Sequence, residues 1–197
     1  MDFSKGVLFD PGYSKYTLPF SSNIDAAYNM LFTIKSPHQR KFKFQMLYPQ
    51  LLKLLEHTVS FYLGCLLWAS FISNNFADDP KDILENSYIG KTVKDDEMLF
   101  EVNYAISYIE KLKKDCKYYL GKNCNIPEDW TKILSVYKEF LTLNEFLTNA
   151  KTTSDIKLPV ILTKPSEDDL NKILEIIESV ISTGNLPELF KAKKYIL

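Results

Sequence analysis

Leu51 to Asn74, LLKLLEHTVSFYLGCLLWASFISN, decides how this chain is built. The stretch is almost purely apolar, yet Glu56 and His57 stand side by side within it. A helix that is apolar all round is either enclosed by other protein elements or immersed in lipid. A membrane span needs roughly 20 consecutive apolar residues. The uncharged run from Thr58 to Ile72 is about 15 residues, which falls short of that length. Lys53, Glu56 and His57 interrupt its entry, and Asp78 and Asp79 follow closely. The stretch therefore reads as a long central helix of a soluble, all-α protein, covered by several others.

Composition supports that reading. A chain of 197 residues fits a single domain around one core, spanning 1–197. With 46% apolar and 14% aromatic residues, there is enough side-chain surface to order it. The net charge of −1 offers no global attraction to nucleic acid or to an anionic membrane. Arg40 is the only arginine. Abundant Lys, Asn, Ile, Tyr and Phe trace that scarcity to an AT-rich coding sequence. Cys65, Cys116 and Cys124 are odd in number and widely spaced, unlike a disulfide framework. His38 and His57 are the only histidines, so no zinc-ligand spacing can be assembled, and neither metal nor cofactor is expected. The N-terminal MDFSKGVLFDPGY has no signal-peptide pattern, and a reducing cytoplasm is the simplest compartment.

The rest of the chain divides into helices. Residues 1–20 form an aromatic arm expected to pack on the bundle. Ser22 or Asn23 caps a first helix running to about Phe32, with Ile24, Ala27, Tyr28 and Leu31 on one face. Ser36-Pro37 restarts the chain as a cap followed by an N1 proline. Pro49 is expected to kink or break the next helix before the central one begins. A short helix over Lys81 to Asn86 follows. Asp95, Asp96 and Glu97 then open a helix that Gly121 terminates. Trp130, Ile133, Leu134, Tyr137, Phe140 and Leu141 line the next one, to about Asn149. Lys157 to Thr163 reads as an extended loop, since Pro159 counts against a strand. Ser166 caps the last long helix, whose core face is Leu170, Ile173, Leu174, Ile177, Val180 and Ile181. Gly184 ends it, and Pro187 begins a short C-terminal helical turn. The total is six or seven helices in an antiparallel bundle.

Few residues invite chemistry. Glu56 and His57 are the sharpest pair, suited to acid–base or metal work. Neighbours on a helix diverge by about 100°, however, and no third group completes a site. A half-exposed helix entry explains them as well. His38, Arg40, Lys41 and Lys43 form a small basic turn that suits phosphate contact, or simply a solvated face. Asp78, Asp79, Asp82 and Glu85 form an acidic cluster of the kind helix N-termini recruit. There is no Gly-rich phosphate loop, H-E-x-x-H, CxxC or nucleophile elbow. Tyr118, Tyr119 and Tyr195 are candidate interface anchors.

The segment from Leu18 to Ile72 resembles the opening of HEPN-type helical domains of prokaryotic conflict and defence proteins. The likeness lies in the Leu18-Pro19-Phe20 entry, an aromatic helix, the Ser36-Pro37 restart, and a long helix with an acidic residue before an apolar run. The resemblance implies an antiparallel four-helix core that often dimerises. It also implies, in nuclease members, an arginine followed a few residues later by a histidine near the start of a late helix. Here Arg40 and His57 are far outside that spacing, and Leu143 to Asn149 holds neither residue type. No catalytic residue carries over. The expectation is a non-catalytic interaction or oligomerisation module with a protein partner or self-association and no membrane contact. The alternatives are an RNase with a non-standard Glu56/His57 site, and a nucleic-acid-binding accessory subunit using the turns around Arg40 and Lys113-Lys114.

Overall fold

A computed structural model describes residues 20–75, 95–149 and 165–197. Every regular element among them is helical. They are α1 (Phe20–Phe32), α2 (Pro37–Asn75), α3 (Asp95–Asp115) with a π-helical turn (Cys116–Leu120), α4 (Glu128–Asn149), α5 (Glu167–Thr183) and a C-terminal 3₁₀ helix (Leu186–Tyr195). Of the expected arm over residues 1–20, Phe20 belongs to α1 and the rest lies outside the described residues, as do the short helix Lys81 to Asn86, the acidic cluster at Asp78, Asp79, Asp82 and Glu85, and the loop Lys157 to Thr163.

The bundle is organised around α2. From Thr58 to Ser70 every residue of this helix is buried, whichever way its side chain points. The cover comes from α1, α4, α5, the π-helical turn and the 3₁₀ helix, while α3 lies against α1 and α4. Ser60 Oγ donates to the Glu56 carbonyl at 2.7 Å, so this hydroxyl is satisfied within its own helix. No helix among the described residues is long and apolar enough to cross a membrane.

Pro49 does not end a helix. α2 runs unbroken from Pro37 to Asn75 with this proline inside it. Proline removes one intrahelical N–H and leaves the carbonyl four residues earlier without its donor. Gln45, Pro49 and Gln50 are all exposed, so water serves the carbonyl that proline abandons. Phe44, Leu51 and Leu55 are fully buried on either side of the proline and hold both halves against the core.

Local chemistry sets the other ends. Phe20 and Ser21 already belong to α1, ahead of the expected caps Ser22 and Asn23, and another helix serves the Ser21 donors. The Glu101 carboxylate of α3 accepts from the Ser21 backbone N–H at 2.9 Å and from the Ser21 hydroxyl. α3 ends through its π-helical turn at Gly121, whose left-handed φ of 67° lets its N–H donate to the Lys117 carbonyl. Ser166 Oγ accepts from the Asp169 N–H at 3.2 Å at the start of α5, and Gly184 closes that helix with φ 70°. The 3₁₀ helix is long for its kind, and its sequence explains why. Leu186, Leu189 and Ala192 are buried at a spacing of three, which stacks in one row at three residues per turn.

Two predictions follow from these buried polar groups. Glu101→Ala leaves the Ser21 N–H without its acceptor, and should lower unfolding free energy in urea by about 2 kcal/mol. Thr58 Oγ1 and the Tyr62 hydroxyl are buried without a hydrogen-bond partner among the described residues. Thr58→Val keeps the shape and removes the unmet donor, so it should raise the urea midpoint, by about 1 kcal/mol of stability. A Thr58→Val protein less stable than the parent would contradict that assignment.

Candidate functional site

Glu56 and His57 occupy successive positions of α2 and are both half-buried. The His57 ring has no hydrogen-bond partner among the described residues. Burial lowers its pKa below the ordinary 6.5, the nearby Lys53 ammonium adds to that, and the Glu56 carboxylate partly opposes it. The imidazole is thus held neutral near pH 7, the form a general base requires. No second group among the described residues is hydrogen-bonded to the ring. Among the described residues, no three His, Cys, Asp or Glu side chains gather in a way that could hold a metal ion. The pair therefore has a base-competent ring without an arrangement around it.

The basic turn at the start of α2 divides. Arg40 turns back onto the chain, its Nε and one terminal nitrogen donating to the Ile34 carbonyl at 3.2 and 2.7 Å. This fork closes the loop between α1 and α2. The guanidinium also faces Tyr119, whose ring stacks on Phe44 with centroids 4.8 Å apart. Burial raises the Tyr119 pKa, and Arg40 counters part of the shift. His38 and Lys41 are exposed, whereas Lys43 borders a groove between α1 and α2. The four residues do not share one surface with their charges free.

A polar cluster missed in the sequence lies where α1 meets the end of α3. The Tyr28 hydroxyl donates to Asp115 Oδ2, which also receives the Lys111 ammonium at 2.9 Å. Lys111 sits 3.9 Å from the centre of the Tyr28 ring. Burial, then the neighbouring Tyr108 hydroxyl and Asp115, push the Tyr28 pKa far above its usual range, so the phenol stays protonated. Every charge in the cluster is paired internally, which is the behaviour of a clamp between helices.

A groove about 570 Å³ in volume runs between α1 and α2. Asn23, Ala26, Ala27 and Met30 line one wall, and Lys43, Met46, Leu47, Gln50 and Leu54 line the other. Met30 is 55% exposed and Met46 58% exposed. Phe42, one turn before Met46, extends this apolar rim into solvent at 61%. Among the tyrosines named from sequence, Tyr118 is 80% exposed, Tyr119 is buried, and Tyr195 is half-buried. Amphipathic periodicity located the buried faces. It carried no signal for which remaining apolar residues would stay uncovered.

The His57 environment has a pH consequence. A histidine whose folded pKa is depressed contributes stability above its unfolded value and loses it as pH falls through and below that value. Unfolding free energy should decline as pH drops below 6.5, the ordinary histidine value, and His57→Gln should flatten that part of the profile. An NMR titration that places the His57 midpoint above 6.5 would refute the burial argument. No family model matches this chain, and no match to it was found among curated proteins or solved structures.

Proposed function

We propose that this chain is a non-catalytic, HEPN-like helical interaction module of a prokaryotic conflict, defence or regulatory system, and that it pairs with a second copy of itself through the α1–α2 groove. One observation carries the reading: two large apolar side chains, Met30 and Met46, stand exposed at a groove that small ones also line. Ala26 and Ala27 leave space, while Met30 and Met46 project next to it. A two-fold axis across this face seats each copy's methionines over the other's alanines, as an isologous interface requires. Lys43 is the only charged side chain in the lining, so two identical faces meet with little repulsion. Methionine adapts its shape to such contacts at low cost. The dimerising tendency of HEPN-type domains and the missing Arg–His motif agree with this reading.

Light scattering across a concentration series tests it. The parent chain should move from monomer to dimer mass with a dissociation constant on the order of micromolar. Ala26→Glu combined with Met46→Glu should keep it monomeric while far-UV circular dichroism is unchanged. A parent chain that stays monomeric throughout, or a dimer indifferent to both substitutions, overturns the proposal.

A further inference from the structure

The π-helical turn and the loop after Gly121 bring two cysteines together. Cys116 is fully buried at the first position of the turn, and Cys124 is half-buried in the loop. The Cys124 thiol and the Tyr48 hydroxyl of α2 both lie within hydrogen-bonding reach of the Cys116 thiol. Both thiols are free. Cys65, the third cysteine, is buried inside α2 and lies against Tyr137, away from this pair.

A cleft of about 350 Å³ opens over Cys124. Its lining is Glu110, Lys113, Lys114, Lys117, Asn123 and Cys124. Lys113 is paired with Glu110 at 3.0 Å. Lys114 and Lys117 are exposed and make no ion pair among the described residues. A thiol that meets anionic reagents needs access and a cationic setting, which draws those reagents in. Cys124 has both. Cys116 has neither, but lies directly behind it.

We propose that Cys124 and Cys116 are a thiol pair that exchanges with anionic small-molecule disulfides of the oxidised-glutathione class, the lysine-lined cleft receiving the reagent. In the first step the Cys124 thiolate attacks one sulfur of the reagent. Its S–S bond breaks, a mixed disulfide forms on Cys124, and the departing thiolate takes up a proton. In the second step Cys116 loses its proton to solvent and attacks the Cys124 sulfur. The Cys116–Cys124 bond forms and the second half of the reagent leaves as a thiol. Two protein thiols are oxidised and one small disulfide is reduced to two thiols.

The order of steps follows from the surroundings. Burial, and after it the neighbouring Cys124 thiol, push the Cys116 thiol up to about 12, so it does not react first. Once Cys124 is capped, that second influence is gone, and Cys116 attacks a disulfide already held beside it.

The test uses the full chain, an anionic probe, 5,5′-dithiobis(2-nitrobenzoate), and a cationic one, cystamine. The anionic probe should release both of its thiol halves per chain and leave a Cys116–Cys124 cross-link in the peptide map. Its rate should exceed that of cystamine by roughly tenfold at low salt, once corrected for each reagent's reactivity toward free cysteine. The gap should close in the Lys113→Gln, Lys114→Gln, Lys117→Gln triple variant. Cys116→Ala should stop at the mixed disulfide, and Cys124→Ser should abolish the fast phase. Cys124→Ser alters a loop residue, so it remains informative if Cys116→Ala fails to fold. A mixed disulfide that persists on Cys124 in the parent chain, a fast phase that survives Cys124→Ser, or equal corrected rates for the two probes overturns the proposal.

Discussion

Enclosure of the second half of α2 is the constraint on which the other helices depend. A surface helix needs cover along one stripe; this one needs it around its whole circumference. From Thr58 to Ser70 no residue reaches water, so several elements must converge on the same rod. The solution uses unequal partners. α4 and α5 are amphipathic helices with ordinary core faces. The C-terminal segment adopts a narrow 3₁₀ helix whose three-residue repeat fits the remaining gap. The Trp130 and Phe190 rings lie nearly parallel, with centroids 5.9 Å apart, and tie that segment to α4. Lys193 pairs with Asp129 at the same junction.

Polar groups in this bundle serve mostly to join helices. Glu101 caps a helix that is 80 residues away in sequence. Asp115 receives a phenol from α1 and an ammonium from its own helix. Arg40 holds the α1–α2 loop through a backbone carbonyl. Each of these charged groups is directed at another part of the bundle, where it joins two segments of the chain. Among the described residues, an apolar groove lies between α1 and α2, and a lysine-lined cleft lies at the end of α3 and the loop after it.

Much of the fold was legible because burial and periodicity coincide. All six residues assigned to the face of α4, from Trp130 to Leu141, are buried. Ser166 and Gly184 mark the ends of α5 through side-chain capping and a positive φ, both of which depend only on local sequence. Of the kink or break expected at Pro49, the break does not occur, because the proline sits on an exposed face and interrupts no buried hydrogen bond. Glu101 gave no sign either, since a glutamate among Asp95, Asp96 and Glu97 reads as surface charge. Its role comes from the approach of α1. The Cys116–Cys124 contact was hidden by the π-helical turn, which re-aims the chain after Asp115. Of the candidate site, the sequence could name Glu56 and His57 but not their surroundings. It had no means of showing that Met30 and Met46 would be left outside the core.

The C-terminal 3₁₀ helix carries a consequence for biosynthesis. Residues 186–197 supply a large part of the cover over α2, a rod about 58 Å long if straight. A ribosome therefore synthesises the enclosed half of α2 more than a hundred residues before the 3₁₀ segment that helps to cover it. Throughout that interval the nascent chain presents an uncovered hydrophobic helix, the kind of surface that invites aggregation and chaperone capture. Completion of the core is tied to emergence of the last described helix, and a chain stalled before Leu186 has no means of closing it.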